Sequence, residues 1–264
     1  MWAIAHRDAL LFGERPERTP LPSGLPVEKV EVRVGGRRLS VWDVAASETT
    51  APGRSGALEG ITVLYMHGTD TSLNGTLPTL RAWHELGYRV IAFDYSGFGE
   101  STAKPSGEGL VDDSQAVIRW MGTEKKIRVQ NIVVHGHSLG SGVAAQLAAR
   151  QPGLRAVVLE SPYSTVEAAI KFSWGWWFPA RIVTGRDHKW FDSVGAVARV
   201  GAPVLVAHGT NDVTIPISQG RRVAAKARCS SIFEVPGAGH NDLFPTVAPK
   251  VVAELAAVVK KCGP

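Results

Sequence analysis

The sequence predicts an α/β fold: a mostly parallel sheet covered by helices on both faces. Three observations carry that prediction. Short, continuously apolar runs recur along the chain, amphipathic stretches alternate with them, and the composition is that of an ordinary globular protein, 44% hydrophobic and 20% charged. A strand buried on both faces has to be apolar throughout, and the intervening amphipathic helices supply the cover. At 264 residues, one large domain is the economical reading.

The elements follow in order. Residues 14–26 carry Pro16, Pro20, Pro22 and Pro26 with little periodicity, so residues 1–26 read as an extended lead-in to a domain at 27–264. Val27 to Val34 alternates apolar and charged residues, and Gly35-Gly36 turns it into Leu39 to Val44, a hairpin at a sheet edge. Ser47 to Gly60 is a polar, Gly-rich loop. Strands are then predicted at Ile61 to Met66, Tyr88 to Phe93, Asn131 to His135, Ala156 to Leu159, Pro203 to Ala207 and Ser231 to Val235. Helical patterns fall between or after them at Leu77 to Leu86, Val111 to Met121, Gly142 to Arg150, Ser218 to Ala227 and Pro245 to Lys260. Ligands of such sheets bind beyond the carboxyl ends of the strands, so residues just after strands are the place to look for chemistry.

One stretch breaks the alternation. Ser161 to Phe191 holds Phe172, Trp174, Trp176, Trp177, Phe178 and Trp190, which includes half of all eight tryptophans. Each aromatic side chain buries roughly 150–250 Å², more in sum than a monomer tolerates as one exposed patch. Three readings stand: an inserted helix packed on the core, a cap lining an apolar substrate pocket, or a membrane or subunit contact. On the second, Trp174, Trp176 and Trp177 are candidate substrate-binding residues.

The net charge of +5 comes from 29 basic and 24 acidic residues spread along the chain. The short runs Lys125-Lys126-Ile127-Arg128 and Arg221-Arg222 read as solvated faces, so no nucleic-acid partner is expected. Met1 to Phe12 is too short for a membrane span and is interrupted by His6, Arg7 and Asp8, so no signal peptide or integral membrane segment is expected. Cys229 and Cys262 make no disulfide framework and lie in no metal-spaced cluster. The lean is to a reducing compartment, and the expected location is cytoplasmic.

The chemistry concentrates at Gly136-His137-Ser138-Leu139-Gly140, set between the apolar run Asn131 to Val134 and the Ala-rich stretch Val143 to Ala149. That pattern is strand, sharp turn, helix, with a serine at the apex whose hydroxyl is lifted out of the sheet. A serine hydroxyl is a poor nucleophile at neutral pH, so it needs a base, and the base needs an orienting carboxylate. Of eight histidines, His135 and His137 flank the serine but cannot easily curl back onto its Oγ. His240 lies in a loop after a strand, in Gly237-Ala238-Gly239-His240, and Asp212 lies likewise in His208-Gly209-Thr210-Asn211-Asp212. The order Ser138, Asp212, His240 suits a nucleophile, acid and base. Alternatives stay open: Asp212 can cap the helix near Pro216, His240 can bond locally, and Glu160 is a rival carboxylate. Oxyanion donors are expected from the Leu139 N–H and, in the loop His67-Gly68-Thr69, from the Thr69 N–H, with His67 bracing that loop.

These motifs resemble the α/β-hydrolase superfamily from Val27 to the final helix. Phe93-Asp94-Tyr95-Ser96-Gly97-Phe98-Gly99-Glu100-Ser101 resembles its D-x-x-G-x-G-x-S loop, and Pro203 to Pro216 resembles its acid-bearing strand and turn. Gly239-His240-Asn241-Asp242 is similar to the branch of protein depalmitoylases, lysophospholipases and bacterial homologues of unknown activity, although the Cys-rich N-terminus of the membrane-anchored members is missing. The resemblance implies eight strands and a small aromatic cap inserted after the sixth, at about residues 161–192. It implies a serine hydrolase of the carboxylesterase or thioesterase kind that attacks a small acyl substrate through an acyl-enzyme, and the aromatic cap suits an apolar acyl or aromatic group. No metal or organic cofactor is implied. A peptidase or amidase and an acyltransferase use the same residues; a non-catalytic binding protein of this fold usually lacks one of them. Serine at 138 disfavours the aspartate-nucleophile dehalogenases and epoxide hydrolases.

Overall fold

The computed structural model describes residues 15–48, 56–69, 71–174 and 192–263, the side chains of Arg15, Ser173 and Trp174 excepted. Eight strands form one sheet: β1 (Val27–Val34), β2 (Arg37–Val44), β3 (Thr62–Met66), β4 (Arg89–Phe93), β5 (Ile132–His137), β6 (Ala156–Glu160), β7 (Val204–Gly209) and β8 (Ser230–Val235). Their spatial order is β8-β7-β6-β5-β3-β4-β2-β1. Only β2 runs against its neighbours, pairing antiparallel with both β1 and β4. The hairpin at the sheet edge is therefore as the sequence predicts.

Helices α1 (Leu77–Glu85), α2 (Gly107–Thr123), α3 (Leu139–Arg150), α4 (Val166–Trp174), α5 (Ser193–Val197), α6 (Ile217–Lys226) and α7 (Leu243–Cys262) follow the strands. Alternate residues of the strands feed two cores. Leu64, Met66, Val157, Leu159, Val204 and Val206 pack with α2, α3, α5 and α6 through residues such as Val117, Leu147, Val197 and Val223. Val63, Tyr65, Val158 and Leu205 pack on the opposite face with Trp83 of α1 and Leu243, Val251 and Leu255 of α7. This is the period-two division expected of a strand buried on both sides.

Local chemistry sets the helix ends. Ser106 caps α2, accepting from the Gly109 N–H at 3.1 Å. α7 bends at Val247, whose backbone (φ −124°, ψ 21°) is not helical, two residues before Pro249; proline has no N–H to give back to residue 245 and crowds its carbonyl. Within the lead-in, Arg15–Pro16 pairs with Phe98–Gly99, and residues 1–14 lie outside the described residues. Among the described residues, no helix is long and apolar enough to cross a membrane.

One feature departs from the sequence reading. Cys229, just before β8, and Cys262, the last residue of α7, form one disulfide; sequence spacing could not show that α7 returns along β8. The break between β6 and β7 begins as a regular helix, α4, and α5 precedes β7. Residues 175–191, which include Trp176 and Trp177, lie outside the described residues.

Candidate active site

Ser138 stands between β5 and α3 with φ +53° and ψ −118°, a left-handed turn for a residue with a Cβ. The flanking glycines permit it. A Cβ on Gly136 would collide with the Gly140 carbonyl, and one on Gly140 with the Met66 carbonyl. The turn is pinned by Ser138 N–H to the Glu160 carbonyl at 3.0 Å.

The structure brings the three residues from separate strand ends together. The His240 Nδ1–H donates to Asp212 Oδ2 at 2.8 Å, and the Ser138 hydroxyl meets His240 Nε2 at 3.0 Å. The carboxylate thus fixes the proton on Nδ1 and leaves the Nε2 lone pair facing the serine. The Asp212 side chain is fully buried, while that of His240 keeps 11% exposure. Burial would raise the Asp212 pKa, but hydrogen bonds from His208 and His240, with the Ile215 N–H, hold it well below the usual carboxylate range. The capping alternative is satisfied too: Asp212 Oδ1 accepts from the Thr214 and Ile215 N–H groups at 2.9 and 2.7 Å. One oxygen shapes the turn before α6 and the other orients His240.

The rival carboxylate has a different partner. Glu160 Oε2 accepts from His135 Nε2–H at 3.0 Å, and Oε1 accepts from the Phe244 N–H at 3.0 Å, in the first turn of α7. Trp83 Nε1–H donates to His135 Nδ1 at 3.1 Å, so both imidazole nitrogens are used and neither reaches Ser138. Burial opposes the charge on Glu160, yet the hydrogen bond from His135 keeps its pKa lowered.

His137 donates from Nε2 to the His240 carbonyl at 2.8 Å, tying the base's backbone to the nucleophile's strand. Sequence reasoning assigned no such role to His137, nor one to His208, whose Nε2 bonds the Ile215 carbonyl at 2.8 Å and lies 3.3 Å from Asp212 Oδ2. The signal was present for His208: it sits four residues before the acid at a strand end. His67 is fully buried with Nδ1–H on the Gly68 carbonyl at 2.8 Å, and burial pushes its pKa down to about 4, which keeps it neutral.

Leu139 opens α3, where an N–H has no intrahelical acceptor. Thr69 borders a cavity of about 190 Å³ together with Ser138 and His240. A Cβ on the intervening Gly68 would come to 3.3 Å from that of Ser138, so this loop lies against the serine. Trp174 closes α4; Trp176 and Trp177 are not among the described residues.

Comparison with known proteins agrees with this architecture. The family model for the alpha/beta hydrolase fold matches residues 61–182. An uncharacterized protein of Mycobacterium tuberculosis is 34% identical over 86% of this chain and 78% of its own length. The alpha/beta hydrolase domain-containing protein 17C of Mus musculus is 30% identical over 82% of this chain and 68% of its own. Among solved structures, the esterase Pf2001 of Pyrococcus furiosus superposes with a TM-score of 0.71 at 16% identity, over 94% of this chain and 99% of that one. The chain belongs to the alpha/beta hydrolase fold family.

Proposed function

We propose that this protein is a serine hydrolase that cleaves a carboxylic ester or thioester through an acyl-enzyme. The observation that carries the reading is the continuous line Asp212 Oδ2, His240 Nδ1, His240 Nε2, Ser138 Oγ, at 2.8 and 3.0 Å. Ser138 Oγ bonds to the carbonyl carbon as its proton passes to His240 Nε2. Asp212 holds the imidazole in place and stabilises its cation. The carbonyl oxygen becomes an oxyanion held by the Leu139 and Thr69 N–H groups, helped by the positive end of α3. Collapse breaks the bond to the leaving oxygen or sulfur, which takes the proton from His240. Water then gives a proton to His240 and its oxygen to the acyl carbon, releasing the acid and restoring Ser138.

The esterase Pf2001 and the family membership support hydrolysis. The aromatic segment between β6 and β7 favours an apolar acyl or aromatic group, with Trp174, Trp176 and Trp177 as its lining, and truncating Trp176 or Trp177 would then shift chain-length preference. Amidase, peptidase and acyltransferase activities use the same line of residues and are read out by amide turnover or by product carried to an added alcohol. The test is a p-nitrophenyl ester series from acetyl to palmitoyl with wild type beside Ser138→Ala. Serine-dependent turnover with a chain-length optimum is expected; turnover that survives in Ser138→Ala would overturn the reading.

A further inference from the structure

The described wall of the cavity beside Ser138 is largely polar, with Pro78 and Pro245 its apolar side chains. Beyond the residues already placed at the reaction centre, its described walls are mostly hydroxyls and a carboxylate: Tyr65, Thr71, Thr76, Thr79 and Glu160. Among the described lining residues there is no Leu, Ile, Val, Met, Phe or Trp, and no Lys or Arg. Two of the hydroxyls are also oriented. Thr71 Oγ1 donates to the Ser72 carbonyl at 3.0 Å and Thr76 Oγ1 to the Leu73 carbonyl at 2.6 Å. Each has spent its only proton on the backbone, so what remains for a ligand is a lone pair.

Glu160 completes the pattern. Its carboxylate is nearly fully buried and borders the same cavity. Its hydrogen-bond partners are an imidazole held neutral by Trp83 and a backbone N–H, neither of which carries a full positive charge. Its negative charge is felt at the buried Tyr65 hydroxyl, whose pKa burial and then Glu160 both raise. Two hydroxyls that present lone pairs and a carboxylate whose hydrogen-bond partners are neutral attract groups that bring donors or positive charge, and disfavour anions.

We propose that this cavity is the alcohol-side subsite and takes a polar leaving group, hydroxylated or cationic, rather than an alkyl or anionic one. His240, which hands its proton to the departing oxygen, walls the cavity with Asn241, so the alcohol portion is the part that lies in it. The inference rests on the serine-hydrolase reading and adds the polarity of the substrate to it.

Four butyrate esters test it: propyl, glyceryl, choline and 3-carboxypropyl. Wild-type kcat/KM is expected to be at least tenfold higher for the glyceryl and choline esters than for the propyl ester, with the carboxypropyl ester lowest. A propyl ester equal to or better than both overturns the inference. Glu160→Gln is expected to narrow the choline to carboxypropyl ratio at least fivefold, and Thr71→Val the glyceryl to propyl ratio, which keeps a second readout if the Glu160 variant folds poorly. Binding of the intact esters to Ser138→Ala, followed by saturation-transfer NMR, separates the two readings. The same rank order there supports the subsite even where turnover is absent, whereas a propyl-first order overturns it and leaves the role of Ser138 standing.

Discussion

Two imidazole–carboxylate pairs lie side by side at the carboxyl end of the sheet, and their first bonds match closely. Asp212 bonds His240 at 2.8 Å and Glu160 bonds His135 at 3.0 Å; both carboxylates and His135 are buried, and His240 keeps 11% exposure. What separates them is the far nitrogen of each ring. In His240 it meets the hydroxyl of Ser138; in His135 it meets Trp83 Nε1–H. A carboxylate beside a histidine is thus not by itself a catalytic feature. The second partner decides whether the ring can take up a proton from a reacting group or serves to fasten β5, β6 and α7 together.

The largest effect expected from this comparison belongs to the ends of the Asp212 line. Ser138→Ala or His240→Ala should each lower kcat by about 10⁶, read with a short p-nitrophenyl ester, while circular dichroism stays native. The pair should not lose more together than singly, because they act as one unit; additive losses would break the assignment.

A third pair sharpens the point. His67 Nε2 lies 3.6 Å from Asp94 Oδ1, both side chains are buried, and burial raises the Asp94 pKa to about 7. Here the carboxyl is disfavoured as an ion. Since its folded pKa lies above its unfolded one, the unfolded chain releases this proton first, and stability falls as pH rises from about 4 to about 7. Asp94→Asn should remove that slope, measured by urea denaturation across pH. Asp212 has the opposite sign: its lowered pKa contributes stability above the unfolded value that is lost as pH falls below about 4.

The disulfide tests how α7 is held. Its near end is fastened by Glu160 at Phe244 and its far end by Cys262 to Cys229. Reduction, or Cys262→Ser, should cost about 3–4 kcal/mol for a 33-residue loop and change kcat less than threefold. A large kcat loss at full folding would mean that the far end also positions His240.

Much of this was legible from residue order. Continuous apolar runs identified six of the eight strands, because strands buried on both faces admit little else; the edge hairpin showed as alternation closed by Gly35-Gly36, and the total of eight was implied by the family resemblance. Glycines at 136 and 140 announced the turn at Ser138, because no Cβ fits there. Contacts between segments distant in sequence were not legible. Nothing near His135 predicts Trp83, 52 positions away, and nothing near Cys229 predicts Cys262. His137 was judged only against the serine hydroxyl, whereas it serves the backbone of His240, 103 positions on.

The central claim is that Asp212, not Glu160, orients the base. Steady-state kcat of Asp212→Asn beside Glu160→Gln, on one short ester, tests it most directly. Asp212→Asn is expected to lose about 10⁴ in kcat with the fold intact. Glu160→Gln, which leaves one of its two buried donors unpaired, is expected to lose about 1–3 kcal/mol of stability and less than a hundredfold in kcat. Full activity in Asp212→Asn with none in folded Glu160→Gln would contradict the account.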